Sequence, residues 1–188
     1  KEIADAMVAE GLKDLGYEYV VIDDCWSMRK RDAQGRLVPD PEKFPSGMKA
    51  LSDYIHSKGL KFGIYSCAGS LTCQRFPGSL DHEFIDAKTF AEWGVDFLKY
   101  DYCYKPKDID GRLLYRRMAM ALRNCGRDIL FSACNWGYDE SHTWMRSAGA
   151  HMWRSTGDIQ DNWESIKKIA LSQLGRECYS GPYCYNDI

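Results

Sequence analysis

One pattern repeats four times along the chain and constrains what it can fold into. An amphipathic stretch ends at a glycine, and a short apolar run begins at once. Leu15-Gly16 precedes Tyr17 to Ile22, Lys58-Gly59 precedes Leu60 to Ser66, Trp93-Gly94 precedes Val95 to Tyr100, and Cys125-Gly126 precedes Asp128 to Cys134. Glycine suits the left-handed residue that closes a helix. The runs that follow have strand length and β-branched or aromatic content. The preceding stretches carry apolar residues at helical spacing. They are Ile3 to Leu15, Met48 to Ile55 after Ser46 as N-cap, Phe84 to Ala91 after Ser79, and Leu113 to Leu122, with a further face on Trp163, Ile166, Ile169, Ala170 and Leu174. Such alternation implies parallel strands joined by helical crossovers.

The connections are unequal. Helix-to-strand turns are short and tipped by glycine, whereas the segments after the strands are long and polar: Cys25 to Phe44, Cys67 to Pro77, Tyr102 to Gly111 and Asn135 to His142. That asymmetry fits a (β/α)8 TIM barrel, whose chemistry sits in the loops after the strands. A doubly wound open sheet is the rival, but no GxGxxG or phosphate loop follows any strand. About six strands are legible where a barrel needs eight. The expectation is an α/β fold in which residues 1–188 form a partial barrel domain, roughly strands 2 to 7. Both ends read as cut, with the first and last strands lying beyond them.

Composition narrows the function classes. The 188 residues, 45% hydrophobic and 28% charged, suffice for one domain with a real core. A net charge of −2 without a basic run excludes an electrostatic nucleic-acid or anionic-membrane binder, and no apolar stretch approaches a membrane span. The 8 cysteines include no CxxC pair and the 4 histidines stand far apart, so no metal site is expected. The cysteine count leans toward an extracytoplasmic compartment (secreted, periplasmic or lysosomal). The absence of an Asn-x-Ser/Thr acceptor weakens a heavily glycosylated origin.

The strand ends carry the chemistry. In Val95 to Asp101, Lys99 and Asp101 fall on one face, and burying either is costly unless it pairs or meets a ligand. Asp23-Asp24, Ser66-Cys67, Cys134-Asn135, Met152-Trp153-Arg154 and Asn186-Asp187 end the other runs. Several carboxylates, a lysine and an arginine then face one mouth, with Trp26, Trp136 and Trp153 nearby. Acids that bind hydroxyls and rings that stack on C–H faces suit a sugar. Glycoside hydrolysis needs two carboxylates, one ionised and one proton-bearing. Lys99 is expected to lower the carboxyl of Asp101, and Asp158, in a loop away from a fixed cation, is the candidate acid. The plain readings are an Asp101–Lys99 structural pair, an N-cap at Asp158, core roles for Trp93 and Trp163, partnerless histidines and a solvated Arg29-Lys30-Arg31-Asp32 loop.

Several segments together resemble glycoside hydrolase family 27, the family of α-galactosidases and α-N-acetylgalactosaminidases. They are residues 17–26 (YEYVVIDDCW), Phe44 to Gly47, Lys61 to Ser66, Pro77 to His82, Leu98 to Cys103 and Trp153 to Ile159, collinear and spread over the whole chain. The resemblance implies a retaining double displacement without a cofactor. Asp101 matches the nucleophile and Asp158 the general acid/base. Asp23, Asp24 and Lys99 match residues that grip galactose hydroxyls, and Arg154 matches one near the 2-position. Cys73 and Cys103 match a disulfide pair, Cys25 matches half of another, and Asp187 matches an acid of the seventh strand.

Some positions depart from the family pattern. The sugar-stacking Trp of the first strand and the C-terminal β-domain lie outside the sequence. Asn135 and Trp136 stand in a Cys-Asn-Trp that replaces Cys-Glu-Trp or Cys-Ser-Trp. Asn135 is expected to hydrogen-bond a 2-hydroxyl, Tyr138 to crowd an acetamido group, and Cys134 to be a free thiol. The implied reaction is release of terminal α-linked galactose from an α-galactoside. The alternatives are an α-N-acetylgalactosaminidase, a β-L-arabinopyranosidase, or a non-catalytic carbohydrate-binding fragment. Homo-oligomerisation stays open.

Overall fold

Alternation along the strands decides which residues make the core. The computed structural model describes residues 1–188. In β3 (Phe97–Asp101), Leu98 and Tyr100 are fully buried. In β2 (Lys61–Cys67) the same side carries Phe62 and Ile64, and in β4 (Leu130–Cys134) it carries Phe131 and Ala133. These side chains pack with Met48 and Ile55 of α2 (Gly47–Ser57), Ala87 and Phe90 of α3 (Glu83–Trp93), and Leu114, Tyr115 and Met118 of α4 (Gly111–Arg123). Tyr100 meets Tyr115 edge-on with ring centroids 5.6 Å apart. Burying each large apolar side chain of this layer stabilises the fold by roughly 1.5–3 kcal/mol.

Completed by β1 (Tyr19–Val21), β5 (Met152–Arg154) and β6 (Tyr185–Asp187), the sheet runs β1-β2-β3-β4-β5-β6 with every pair parallel. Sequential parallel order is that of consecutive strands in a (β/α) barrel, as the sequence predicts. Val21, Gly63 and Phe97 lie side by side on the face opposite the helices: a Cβ on Gly63 would meet Val21 at 2.7 Å and Phe97 at 3.2 Å. Gly16, Gly59, Gly94 and Gly126 all take the expected left-handed conformation, with φ of 98°, 70°, 79° and 85°.

Several local expectations need correction. The first helix, α1 (Glu2–Ala9), stops early, and a separate 3-10 turn covers Lys13–Leu15. Ser79 does not cap α3, which starts at Glu83. Its N–H donates to Cys67 O at 2.9 Å and its hydroxyl meets that of Ser66 at 2.6 Å, so it closes the loop after β2. Asn162, not Asp158, caps α5 (Trp163–Leu171), accepting from Ser165 N–H at 2.9 Å. Only Ile169 of that helix is buried; Trp163, expected in the core, is 68% exposed. Six residues of helix rotate it about 120° away from the direction of Ile169.

Arg31 is not solvated. Its guanidinium holds both oxygens of the fully buried Asp86 at 2.6 and 2.8 Å, joining the loop after β1 to α3.

His56 has a partner after all: its Nε2 lies 2.6 Å from Asp96 Oδ2, which also accepts Phe62 N–H at 2.8 Å, while Arg127 holds Oδ1 at 2.5 Å. Burial opposes ionisation of Asp96, but these three donors outweigh it and hold its carboxyl below the usual range. A carboxyl lowered by folding adds stability above its unfolded pKa and loses it as pH falls through the folded value. Asp96→Asn is therefore expected to lower Tm at pH 7, with the gap to wild type closing below about pH 4. Thermal unfolding of both proteins across pH 3–7 checks this; a constant gap would contradict it.

Candidate active site

Because the strands are parallel, their C-terminal ends bring the predicted polar residues to one edge of the sheet. Asp101, Cys134, Arg154 and Asp187 each end a strand, and Asp23-Asp24 follow β1 by two residues. A cavity of about 580 Å³ opens there, lined by Asp23, Lys99, Cys134, Arg154, Asp158 and Asp187 among others. A larger cavity, about 1070 Å³, lies at the other end of the sheet between Tyr19, Arg127 and Tyr185. Barrels place their catalytic loops after the strands, so the smaller cavity is the candidate site.

Asp101 is 6% exposed. One of its oxygens accepts its neighbour's Tyr102 N–H at 2.9 Å, and the other accepts the Tyr65 hydroxyl at 3.0 Å. Burial pushes this carboxyl above its ordinary range; the Tyr102 N–H, the Tyr65 hydroxyl and the charge of Lys99 only partly offset it. Lys99 does lower it, as expected, but by less than burial raises it. Lys99 gives its ammonium to Asp23 at 2.7 Å instead. Two strand residues on one face stand roughly 6.6 Å apart, whereas the end of β1 brings Asp23 directly to the ammonium. Burial opposes the charge on Lys99, but Asp23 outweighs it and raises the pKa. The ammonium also lies 5.3 Å over the ring of Tyr65.

Tyr65 is the residue that the sequence reading missed. It shares a face with Gly63 and Cys67, and register pairs it with Lys99, so the period-2 pattern of β2 held the signal. Burial, then the charge of Asp101, pushes its phenol pKa upward, keeping the proton on the donor.

Asp24 staples two loops, accepting Cys25 N–H at 2.7 Å and Gln74 N–H at 2.9 Å. Beside Gln74, Cys73 forms the expected disulfide with Cys103, with Cα atoms 5.2 Å apart. Cys67 and Cys134 are buried free thiols pushed up to about 12 by burial, which makes both poor nucleophiles.

A melibiase family model described as Alpha galactosidase A matches residues 1–186. The chain belongs to this family. It is 55% identical to alpha-galactosidase 2 of Arabidopsis thaliana over all 188 residues, covering 47% of that protein. The structure of alfa-galactosidase from Saccharomyces cerevisiae with raffinose superposes with a TM-score of 0.93 at 36% identity, covering 99% of this chain and 46% of that one. A GH27 β-L-arabinopyranosidase from Geobacillus stearothermophilus is more distant, with a TM-score of 0.84 at 26% identity, covering 98% and 55%. The chain spans about half the length of the curated relatives it matches.

Two expected site residues have partners that their positions in the sequence did not indicate. Arg154 binds Asp158 at 2.7 Å, so Asp158 is not free of a fixed cation, and its side chain is 87% exposed rather than dry. The four-residue step from the end of β5 lets the following loop fold back onto its own arginine. Asn135 is fully buried; its amide donates to Tyr138 O at 2.7 Å and accepts Gly137 N–H at 3.2 Å. It holds its own loop rather than presenting to the cavity. A Cβ at Gly137 would lie 2.2 Å from Ser155 O, so only glycine lets that loop approach β5 so closely.

Trp26 and Trp153 are core residues; the Trp26 indole donates to Tyr65 O at 2.8 Å. Trp136 alone of the three stays half-buried at this end, edge-on to Tyr102 and Tyr138.

Proposed function

We propose that the protein carrying this chain is a retaining exo-α-galactosidase that releases terminal α-linked galactose from oligosaccharides or glycoconjugates. One observation carries the reading. A buried carboxylate with two hydrogen-bond donors, Asp101, ends a central strand of the chain, while a second carboxylate, Asp158, stands on Arg154 two strands away and lines the cavity at that same end of the sheet. The relatives named above and the family supply the substrate class.

In this reading Asp101 attacks the anomeric carbon as the glycosidic C–O bond breaks, and Asp158 passes its proton to the leaving oxygen. Asp158 is paired with Arg154 at 2.7 Å, and in this reading substrate draws it off Arg154 toward the leaving oxygen. Asp158 then removes a proton from water, which displaces Asp101 and frees α-galactose. Both steps use carboxylates alone. The Asp23–Lys99 pair presents an acceptor and a donor on one side of the cavity, the chemistry that holds sugar hydroxyls, and Asp24 fixes the loop beside them. Galactose is favoured over arabinose by the higher identity to the alpha-galactosidases, and over N-acetylgalactosamine by the bulk of Tyr138.

The test is a substrate panel on the full-length protein. p-Nitrophenyl α-galactoside is expected to show kcat/KM at least about 10-fold above its N-acetyl analogue and the β-L-arabinopyranoside, with α-galactose as first product by NMR. Preference for either analogue, or β-galactose released first, would overturn the assignment.

A further inference from the structure

We propose that Cys73, Cys103 and Asp101 form a latent site for a thiophilic divalent cation, Zn²⁺ or Cd²⁺, which opens when the disulfide is reduced. The two sulfurs and an Asp101 oxygen all lie within 4.8 Å of one another. The Cys73 sulfur is 3.4 Å from Asp101 Oδ2. Ligands at about 2.3 Å for sulfur and about 2.0 Å for oxygen around a tetrahedral ion stand about 3.5 Å apart, so this edge already has coordination length. The other edge requires the sulfurs to separate to about 3.8 Å. Both cysteines sit in turns rather than strands, and their Cα atoms are 5.2 Å apart, so side-chain rotation supplies that movement. Cys73 is exposed, Cys103 half-buried and Asp101 buried, giving an ion a route in from solvent.

The chemistry balances. A dithiol or phosphine reductant supplies two electrons, the S–S bond breaks, and two protons complete two thiols. Binding the dication releases both protons. Two thiolates and one carboxylate then leave the site with one net negative charge, beside a Lys99 ammonium that is shared with Asp23. Water takes the fourth position. Two sulfurs and one carboxylate select Zn²⁺ or Cd²⁺ over Mg²⁺ or Ca²⁺.

Metal capture would block hydrolysis because it occupies Asp101. That consequence rests on the proposed function; the binding itself does not.

The test reads binding. Full-length protein, reduced with a phosphine and desalted under argon, is titrated with Cd²⁺ beside the oxidised protein, following thiolate-to-cadmium charge-transfer absorption. Reduction is expected to add one equivalent of Cd²⁺. That increment should vanish in Cys73→Ser, and its affinity should fall at least about 10-fold in Asp101→Asn. A second measurement needs no variant: Zn²⁺ should shield Cys73 and Cys103 of the reduced wild type from iodoacetamide, mapped by mass spectrometry. Equal Cd²⁺ uptake before and after reduction, or alkylation of both cysteines unaffected by Zn²⁺, would overturn the site. Loss of the substrate-panel result would instead sink the proposed function and leave this one standing.

Discussion

Asp101→Asn is expected to lower kcat by roughly 10³-fold or more while leaving the protein folded. The amide oxygen can still accept the Tyr102 N–H, and the amide NH2 can donate to a Tyr65 hydroxyl that turns to accept; in the wild type these groups bond separate carboxylate oxygens at 2.9 and 3.0 Å, so local geometry survives. What disappears is the anionic oxygen that would form the covalent glycosyl intermediate. Unchanged thermal unfolding with abolished turnover is the expected pair of results; a variant that keeps most of its activity would end Asp101's assignment as nucleophile. Tyr65→Phe gives a graded companion. Removing a donor to the ionised carboxylate raises its pKa further, so the acid limb of the kcat/KM profile should move to higher pH. A merely structural tyrosine would change amplitude without moving that limb.

Asp86→Ala should be the most destabilising single substitution at the loops that frame the site. The Asp86 side chain is 0% exposed and Arg31 only 12%. The guanidinium also donates to Gly78 O at 2.6 Å and Gly35 O at 2.8 Å, so one arginine ties its own loop and the loop after β2 to α3. Removing the carboxylate strands a nearly buried cation, which costs about 3–5 kcal/mol. In a domain of this size that lowers Tm by roughly 10 °C or more. Differential scanning calorimetry of the full-length protein measures it. A shift within about 2 °C would mean that solvent already screens the pair.

Much of the architecture was readable because its causes are local. Gly16, Gly59, Gly94 and Gly126 marked the helix ends, since a left-handed residue is cheap only without a Cβ. Two-residue alternation puts Lys99 and Asp101 on one face, and the long loops after the strands mark the end of the sheet that holds the candidate site. The polar residues were placed correctly at strand ends but mis-paired. Lys99 looked like the partner of Asp101 and took Asp23. Asp158 looked free and took Arg154. Asn135 looked available and closed its own loop. Trp163 fitted a helix face but turned away from the buried side, and Arg31 looked solvated but found Asp86 fifty-five residues away.

What the sequence determined by itself was periodicity, chain breaks and residue chemistry, because these depend on the bonds and neighbours of each residue. What only the tertiary structure decided was which charge meets which. Partner choice depends on the stagger between strands and on how far each group is taken out of water. A shift of one residue in register or a few ångströms of loop exchanges one ion pair for another of similar energy.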